Sequence, residues 1–179
     1  IAHILDGILT EAGLLTEGER TDLANRLAQL SDTYNAQIVV VTIPSAEGND
    51  PDVIVEYFYD SMGIGYGEDL DGVLLLLCMD PREYRILGDG YCAAAINTGV
   101  IDDIGNAIVS DLSDGDYAEA FEGFADKCEY YLDGYVNGFP FDFGISIGIA
   151  LLIGVLVGQI VGKAPKGQLK TVHSVNQAK

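Results

Sequence analysis

The feature that most restricts the fold of this chain is a run of twenty uncharged residues, FGISIGIALLIGVLVGQIVG, from Phe143 to Gly162. Only Ser146 and Gln159 in this run are strongly polar. A helix of twenty residues is about 30 Å long, which matches the hydrocarbon thickness of a bilayer. Because helices buried in a protein core are usually shorter and have a polar face, the run predicts a single transmembrane helix.

The charge of the chain divides at this run. All 28 acidic residues lie at or before Asp142, together with five basic residues, so residues 1–142 carry a net charge of −23. From Phe143 onward there are four lysines and no acidic residue, which gives a net charge of +4. A surface as negative as that of the first 142 residues repels phosphate groups, and this excludes nucleic acid as a partner.

The lysines also predict the orientation of the span. Lys163, Lys166 and Lys170 follow the apolar run directly, whereas the residues just before it include Phe139 and no lysine. Positive charge marks the cytoplasmic end of a membrane span, and aromatic residues mark its interfaces. We therefore expect a single-pass protein of the cell membrane with its acidic domain outside. Export of that domain requires a signal peptide, which we presume has been removed ahead of Ile1.

These features divide the chain into four segments. Residues 1–135 are expected to form an extracytoplasmic domain of a size that supports one hydrophobic core. Residues 136–142 form a juxtamembrane linker, residues 143–162 the span, and residues 163–179 a basic cytoplasmic tail.

Small residues repeat along the span. Gly154, Gly158 and Gly162 recur every four residues, which puts them on one face of a helix. Such a face lets a second helix approach closely and predicts a homodimer through the transmembrane helix. Glycine is also common in membrane helices in general, which explains the same spacing without a dimer.

The acidic domain begins with signals for a helix and a buried strand. Thr16-Glu17-Gly18-Glu19 is a capping box and predicts a helix over 17–34. Residues 36–43 (AQIVVVTI) and 72–79 (GVLLLLCM) are apolar runs typical of strands buried on both faces. Asp50 and Pro51 start a helix over 51–62.

The order of these elements predicts the fold. Strand, helix and strand in succession imply parallel pairing with a right-handed crossover, and residues 83–87 return as a hairpin partner. Helices follow over 98–112, capped by Thr98, and over 117–132. The fold class is α/β, a small α/β/α sandwich with a mixed sheet built on a βαβ unit plus a hairpin, followed by one transmembrane helix. The inward stripe of the last helix contains Phe121, Phe124, Cys128 and Tyr131.

Chain direction brings two acidic loops to one edge of the sheet. The loop 63–71 and the turn Gly88-Asp89-Gly90 lie at the same end, so Asp69, Asp71 and Asp89 converge there, with Asp102 in the first turn of the next helix. An excess of carboxylates without histidine or thiolate partners favours Ca²⁺ or Mg²⁺. The alternative is that these carboxylates cap helices, form turns and keep the domain soluble.

Other kinds of site have less support. The chain has no Gly-x-Ser-x-Gly elbow, and His3 and His173 lie far apart, so neither a serine triad nor a zinc site is indicated. Arg82 and Arg85 are scarce cations in an acidic chain. Either could clamp an anionic group, but the surrounding acids favour structural ion pairs.

Three cysteines, Cys78, Cys92 and Cys128, allow at most one internal disulfide. Cys78 lies in an apolar run and is expected to be buried. A bridge between Cys92 and Cys128 and three free thiols both remain open.

Several motifs in order resemble the TPM domain family. They are TEAGLLT at 10–16, AQIVVVTI at 36–43, FYDSMGIGYG at 58–67, DGVLLLL at 71–77, DPREYRI at 80–86 and DGDYAEAFEGFADKCEYYL at 114–132. The resemblance covers roughly residues 8–134. It implies an α/β/α sandwich, divalent-cation binding in some members, acid-phosphatase activity in plant relatives and roles in maintaining membrane complexes.

The resemblance also implies site residues. By position in the motifs, Asp71 is the acidic residue before the glycine of the DGVLLLL motif, and Asp80 and Arg82 are the acid–arginine pair of the following turn. Where the family often has aspartate, this chain has Thr10 and Thr98. Glu11, Asp69 or Asp102 would then replace those ligands.

We therefore expect an extracytoplasmic TPM-like module that binds an unidentified protein partner or maintains a membrane complex. The alternatives are a metal-dependent acid phosphatase that uses Asp71 and an adhesion or sensor ectodomain.

Overall fold

The computed structural model describes residues 7–10 and 12–139 of the chain. By their contacts, the described residues belong to one compact unit.

Several predictions concern residues outside these described ranges. The predicted span over 143–162 lies outside the described residues, and so do Gly154, Gly158 and Gly162 within it, the basic tail and Glu11. Among the residues that the structure does describe, no helix is both long enough and apolar enough to cross a membrane.

A mixed sheet forms the centre of the domain. Its strands are β1 (Ile8–Thr10), β2 (Gln37–Ile43), β3 (Gly72–Cys78) and β4 (Glu83–Asp89). They lie in the order β1-β2-β3-β4, with the first three parallel and β4 antiparallel to β3. The predicted βαβ unit and hairpin are confirmed. The sequence did not reveal β1, because a strand of three residues is too short to show a periodic pattern.

In the described part of the chain, five helices accompany the strands: α1 (Glu17–Tyr34), α2 (Pro51–Met62), α3 (Cys92–Ala95), α4 (Thr98–Asp114) and α5 (Tyr117–Asn137). The bounds of α1 and α2 agree with the prediction. At the start of α1, the Thr16 hydroxyl accepts from the Glu19 amide while the Glu19 carboxylate accepts from the Thr16 amide. At the end of α2, Gly63 takes a left-handed conformation with φ +62°.

The predicted cap of α4 is wrong. Thr98 is the first residue of the helix, and the cap is Asn97, whose backbone is extended. Asn97 Oδ1 accepts hydrogen bonds from the amides of Gly99 at 3.1 Å and Val100 at 3.4 Å. Threonine and asparagine both cap helices, so the sequence alone did not distinguish the two neighbours.

Helix α5 continues past its predicted end at Leu132 to Asn137. Gly134 lies inside this extension and is buried against the ring of Phe139, where an added Cβ would approach a ring carbon to 2.2 Å. The glycine therefore serves packing here and does not end the helix. The last turn of α5 extends into the stretch 136–142 that was predicted to be a linker.

Helices cover both faces of the sheet, as the sequence predicted. Helices α1, α3, α4 and α5 pack on one face, where Leu27, Phe121 and Phe124 are fully buried. Helix α2 packs on the other face, where Val55 and Tyr59 contact strand residues. We call these the α1/α4/α5 layer and the α2 layer.

The connections β1-α1-β2 and β2-α2-β3 have opposite hands. Both move one strand in the same direction across the sheet, but α1 and α2 lie on opposite faces. Since crossovers between parallel strands are right-handed almost without exception, one of the two departs from that rule.

Candidate functional site

The loop 63–71 between α2 and β3 is fastened to the sheet at two points. Tyr59 Oη donates to the Leu70 carbonyl at 2.7 Å. The amide of Gly65 donates to Gln37 Oε1 at 2.8 Å. Because both bonds use partly buried groups, the loop is held in one position against the end of the sheet.

Asp71 lies where this loop meets the turn after β4. It exchanges backbone hydrogen bonds of 2.9 Å with Tyr66, and its Oδ1 accepts from the amide of Tyr91 at 2.8 Å. Gly90 sits directly beside it with φ +59°, and a Cβ there would approach Asp71 Oδ1 to 2.0 Å and the Asp69 carbonyl to 2.8 Å. The two acidic loops therefore meet at one edge of the sheet, and the contact requires glycine at position 90.

Asp89 belongs to the same edge, since it pairs with Gly72 in the sheet and its Oδ1 accepts from the amide of Gly90 at 2.7 Å. Burial raises the pKa of Tyr59, and the nearby charges of Asp89 and Asp71 raise it further. Burial also raises the pKa of the Cys92 thiol to about 12. These two groups stay neutral at physiological pH, so the negative charge of this edge lies on its carboxylates.

Asp102 is not joined to this edge by any hydrogen bond or ion pair of the described residues, and its side chain is exposed. The prediction that it lies in the first turn of the helix is wrong, because α4 begins at Thr98 and its first turn holds no acidic residue. Its neighbour Asp103 accepts from Lys127 Nζ at 2.5 Å and from Tyr131 Oη at 2.8 Å. Over residues 7–10 and 12–139, no group of three or more His, Cys, Asp or Glu side chains is arranged to hold a metal ion. Metal binding by Asp69, Asp71 and Asp102 therefore stays a prediction.

The opposite end of the sheet carries a cleft of about 190 Å³ between the β3–β4 turn and the α4–α5 turn. Asp80 and Arg82 lie in the β3–β4 turn, so the length of β3 separates them from Asp71. The Asp80 carbonyl accepts from the amide of Ala46 at 2.9 Å, which ties this turn to the loop after β2. The cleft is lined by Leu77, Met79, Arg82, Tyr84, Val109, Leu112, Ser113 and Tyr117.

The two arginines of the hairpin have different partners. Arg85 forms ion pairs with Asp52 at 2.5 Å and with Glu83 at 2.9 Å, so the predicted structural ion pair is confirmed for this residue. Arg82 donates from Nη2 to the Leu112 carbonyl at 3.4 Å and forms no ion pair with a described residue. The ion-pair prediction is therefore wrong for Arg82.

All three cysteines are fully buried free thiols, and no disulfide joins Cys92 to Cys128. Cys78 lies in the α2 layer and the other two in the α1/α4/α5 layer. Burial raises the pKa of all three thiols.

An exposed aromatic surface lies at the end of α5. We define it by Tyr130, Tyr135, Val136 and Phe139, each of which is more than half exposed. The rings of Tyr130 and Phe139 lie 5.6 Å apart, and Tyr135 stacks on Tyr91 at 5.8 Å. Sequence reasoning identified aromatics next to the span, including Phe139, but missed the tyrosines, because it ended the helix at Leu132.

Comparison with known proteins identifies relatives of this domain. The sequence profile of the TPM domain matches residues 8–131. UPF0603 protein YdjH of Bacillus subtilis is 30% identical over 125 residues, which is 68% of this chain and 44% of that protein. The chain thus spans less than half the length of this relative.

Solved structures share the fold. The N-terminal domain of a protein from P.gingivalis aligns with a TM-score of 0.66 and 22% identity over 76% of this chain and 87% of that one. BA42 protein from Bizionia argentinensis aligns with a TM-score of 0.60 and 17% identity over 74% of this chain and 89% of that one. The N-terminal domain of a Corynebacterium glutamicum protein aligns with a TM-score of 0.57 and 20% identity over 70% of this chain and 79% of that one. Since the profile covers well over half of the sequence and the same architecture recurs in these structures, the chain belongs to the TPM domain family.

Proposed function

We propose that this protein is a membrane-anchored, extracytoplasmic module that holds its domain against the membrane surface and presents it to a protein partner there. The observation that carries this proposal is the aromatic surface at the end of α5. Tyrosine favours the boundary between lipid and water, because its ring is apolar and its hydroxyl stays hydrated, and phenylalanine adds apolar surface beside it.

The position of this surface in the sequence supports the same role. Phe139 precedes Phe143, the first residue of the predicted span, by four positions. Four extended residues reach about 14 Å at most, so the aromatic surface stays close to the headgroup layer if the span crosses the membrane.

Charge opposes this contact. The first 142 residues carry a net charge of −23, and an anionic membrane repels such a surface. Tyr135 stacks on Tyr91, whose amide donates to Asp71, so the acidic Asp71 edge lies beside the aromatic surface. The proposal therefore requires that the transfer of the apolar and aromatic side chains out of water outweighs this repulsion.

Brominated-lipid quenching in nanodiscs tests this orientation, because the chain contains no tryptophan of its own. We expect strong quenching of the full chain carrying Tyr135→Trp. A matched Tyr57→Trp variant, on an exposed position of α2, should show little quenching. Equal quenching of the two variants, or none at position 135, would contradict the proposal.

Divalent-cation binding at the Asp71 edge is a second candidate function, favoured by the contact between the loop 63–71 and the turn at Gly90. We expect that calcium titration of the domain shifts amide NMR signals at positions 69–71 and 89–91, and that Asp71→Asn removes the shifts. Asp102→Asn should leave them in place, because no contact joins Asp102 to this edge. Diffuse shifts over the whole acidic surface would count against a site.

The same samples test the phosphatase alternative. Hydrolysis of a phosphate ester that requires both the cation and Asp71 would support a metal-assisted reaction, in which the cation neutralises a phosphoryl oxygen. Turnover that survives Asp71→Asn would refute it.

A further inference from the structure

We propose that the cleft at the β3–β4 turn binds the C-terminal carboxylate of a partner polypeptide, with Arg82 pairing the carboxylate and the apolar walls accepting a bulky last side chain. This inference rests on the proposed role as an interaction module and names the chemistry of its partner. The cleft lies at the end of the sheet opposite the Asp71 edge.

The size of the cleft favours a single side chain. Its volume of about 190 Å³ is below the 300 Å³ or so at which pockets for drug-sized molecules begin. Leu77, Met79 and Leu112 supply aliphatic walls, and Tyr84 and Tyr117 close the sides with partly buried rings. A leucine-sized group fits these surroundings better than a long acyl chain or a nucleotide.

The charge at the cleft favours an anion. Arg26, Arg85 and Lys127 all have carboxylate partners in the structure, whereas Arg82 has none among the described residues. One carbonyl, that of Leu112, accepts from its Nη2 at 3.4 Å and directs the guanidinium toward the cleft. A guanidinium has five N–H donors, which leaves enough for a bidentate carboxylate.

The acidic surroundings restrict the kind of anion. Asp80 lies in the same turn, Asp114 is the last residue of α4, and Asp116 directly precedes α5. A phosphate dianion is repelled more strongly by these groups than a carboxylate with a single charge. A peptide carboxylate therefore matches the site better than a phosphate does.

The neighbouring strand favours a peptide over a small carboxylic acid. Within the part of the chain that the structure describes, β4 is an edge strand that pairs with β3 alone. Tyr84, which lines the cleft, belongs to β4. A peptide with its end in the cleft can therefore continue along this edge and form backbone hydrogen bonds there.

Amide NMR titration of residues 1–139 tests the proposal, since this unit has its own core and the N-terminal domains of relatives have been solved alone. The probe is an acetylated hexapeptide of glycine and serine that ends in leucine, compared with the same peptide as a C-terminal amide. We expect shifts around positions 77–84 and 109–117, and affinity for the acid at least about tenfold higher than for the amide.

Three variants test the proposal further, two with an expected loss of binding and one as a control. Arg82→Gln should weaken binding of the acid peptide at least about tenfold, as should Val109→Glu, which adds a negative charge at the exposed rim. Arg20→Gln removes a cation from α1 and should leave binding within about twofold. Equal affinity for acid and amide, full binding by Arg82→Gln, or no shifts at the cleft would overturn the proposal.

Small anions test whether the cleft binds an occupant other than a peptide. If inorganic phosphate or octanoate binds at the cleft as tightly as the acid peptide, the site belongs to a small anion and the proposal fails. The quenching of Tyr135→Trp in nanodiscs does not depend on Arg82, so failure of the cleft proposal and failure of the proposed function are distinguishable.

Discussion

Replacement of Gly65 with alanine is expected to lower the free energy of unfolding by about 3 kcal/mol. Gly65 has φ +111°, and a Cβ there would lie 2.3 Å from the Leu70 carbonyl oxygen. A residue other than glycine in a left-handed conformation costs about 1–2 kcal/mol, and forced overpacking adds about 1–3 kcal/mol. Because the obstacle is backbone, the loop must open and lose the bond from Tyr59 to Leu70.

Gly67→Ala is the matched control for this prediction. Gly67 lies in the same loop with φ +73°, but no atom lies within 4 Å of the position its Cβ would take. The control therefore carries the conformational cost alone, about 1 kcal/mol. Urea unfolding monitored by circular dichroism measures both variants. If they lose the same stability, the close approach of Gly65 to Leu70 contributes nothing.

Truncation of Phe124 to alanine is expected to lower the free energy of unfolding by about 3–5 kcal/mol. Phe124 is fully buried in the α1/α4/α5 layer, and its removal leaves a cavity that the surrounding helices can fill only in part. Since small domains have a total stability of about 5–15 kcal/mol, the unfolding temperature of the variant should lie well below that of the native protein.

Tyr57→Ala provides the comparison. Tyr57 is an aromatic residue of α2 whose side chain is 67% exposed, so its truncation should change stability by about 0.5 kcal/mol or less. Both variants are measured by thermal and urea unfolding with the same spectroscopic probe. A loss below about 1 kcal/mol for Phe124→Ala would show that the α5 stripe is not part of the core.

Elements with strong local signals were predictable from the sequence. Helix α1 begins at its capping box, α2 runs from Pro51 to Met62 between the caps Asp50 and Gly63, and the apolar runs became β2 and β3. Elements without a local signal were missed. Strand β1 exists because Ile8 and Leu9 pair with β2. Three residues are too few to show a pattern that predicts this pairing.

The candidate sites divide in the same way. The meeting of the loop 63–71 with the turn at Gly90 followed from chain direction, because parallel and antiparallel pairing determine which loops share an edge. The cleft could not be predicted, since its walls come from Leu77 and Met79 at the end of β3 and from Leu112 and Tyr117 far along the chain. Neither could the different surroundings of Arg82 and Arg85, which depend on Asp52 lying next to β4.

The three buried thiols are natural probes of local opening in this protein. A thiol reacts with an alkylating reagent only when it is exposed and ionised to the thiolate. Burial prevents access to Cys78, Cys92 and Cys128, and it also raises the pKa of each thiol. Each cysteine therefore becomes reactive only during a transient opening of its own surroundings. Cys78 lies on one side of the sheet, and Cys92 and Cys128 lie on the opposite side. The rate of alkylation at each cysteine therefore measures how often the layer around it opens to solvent.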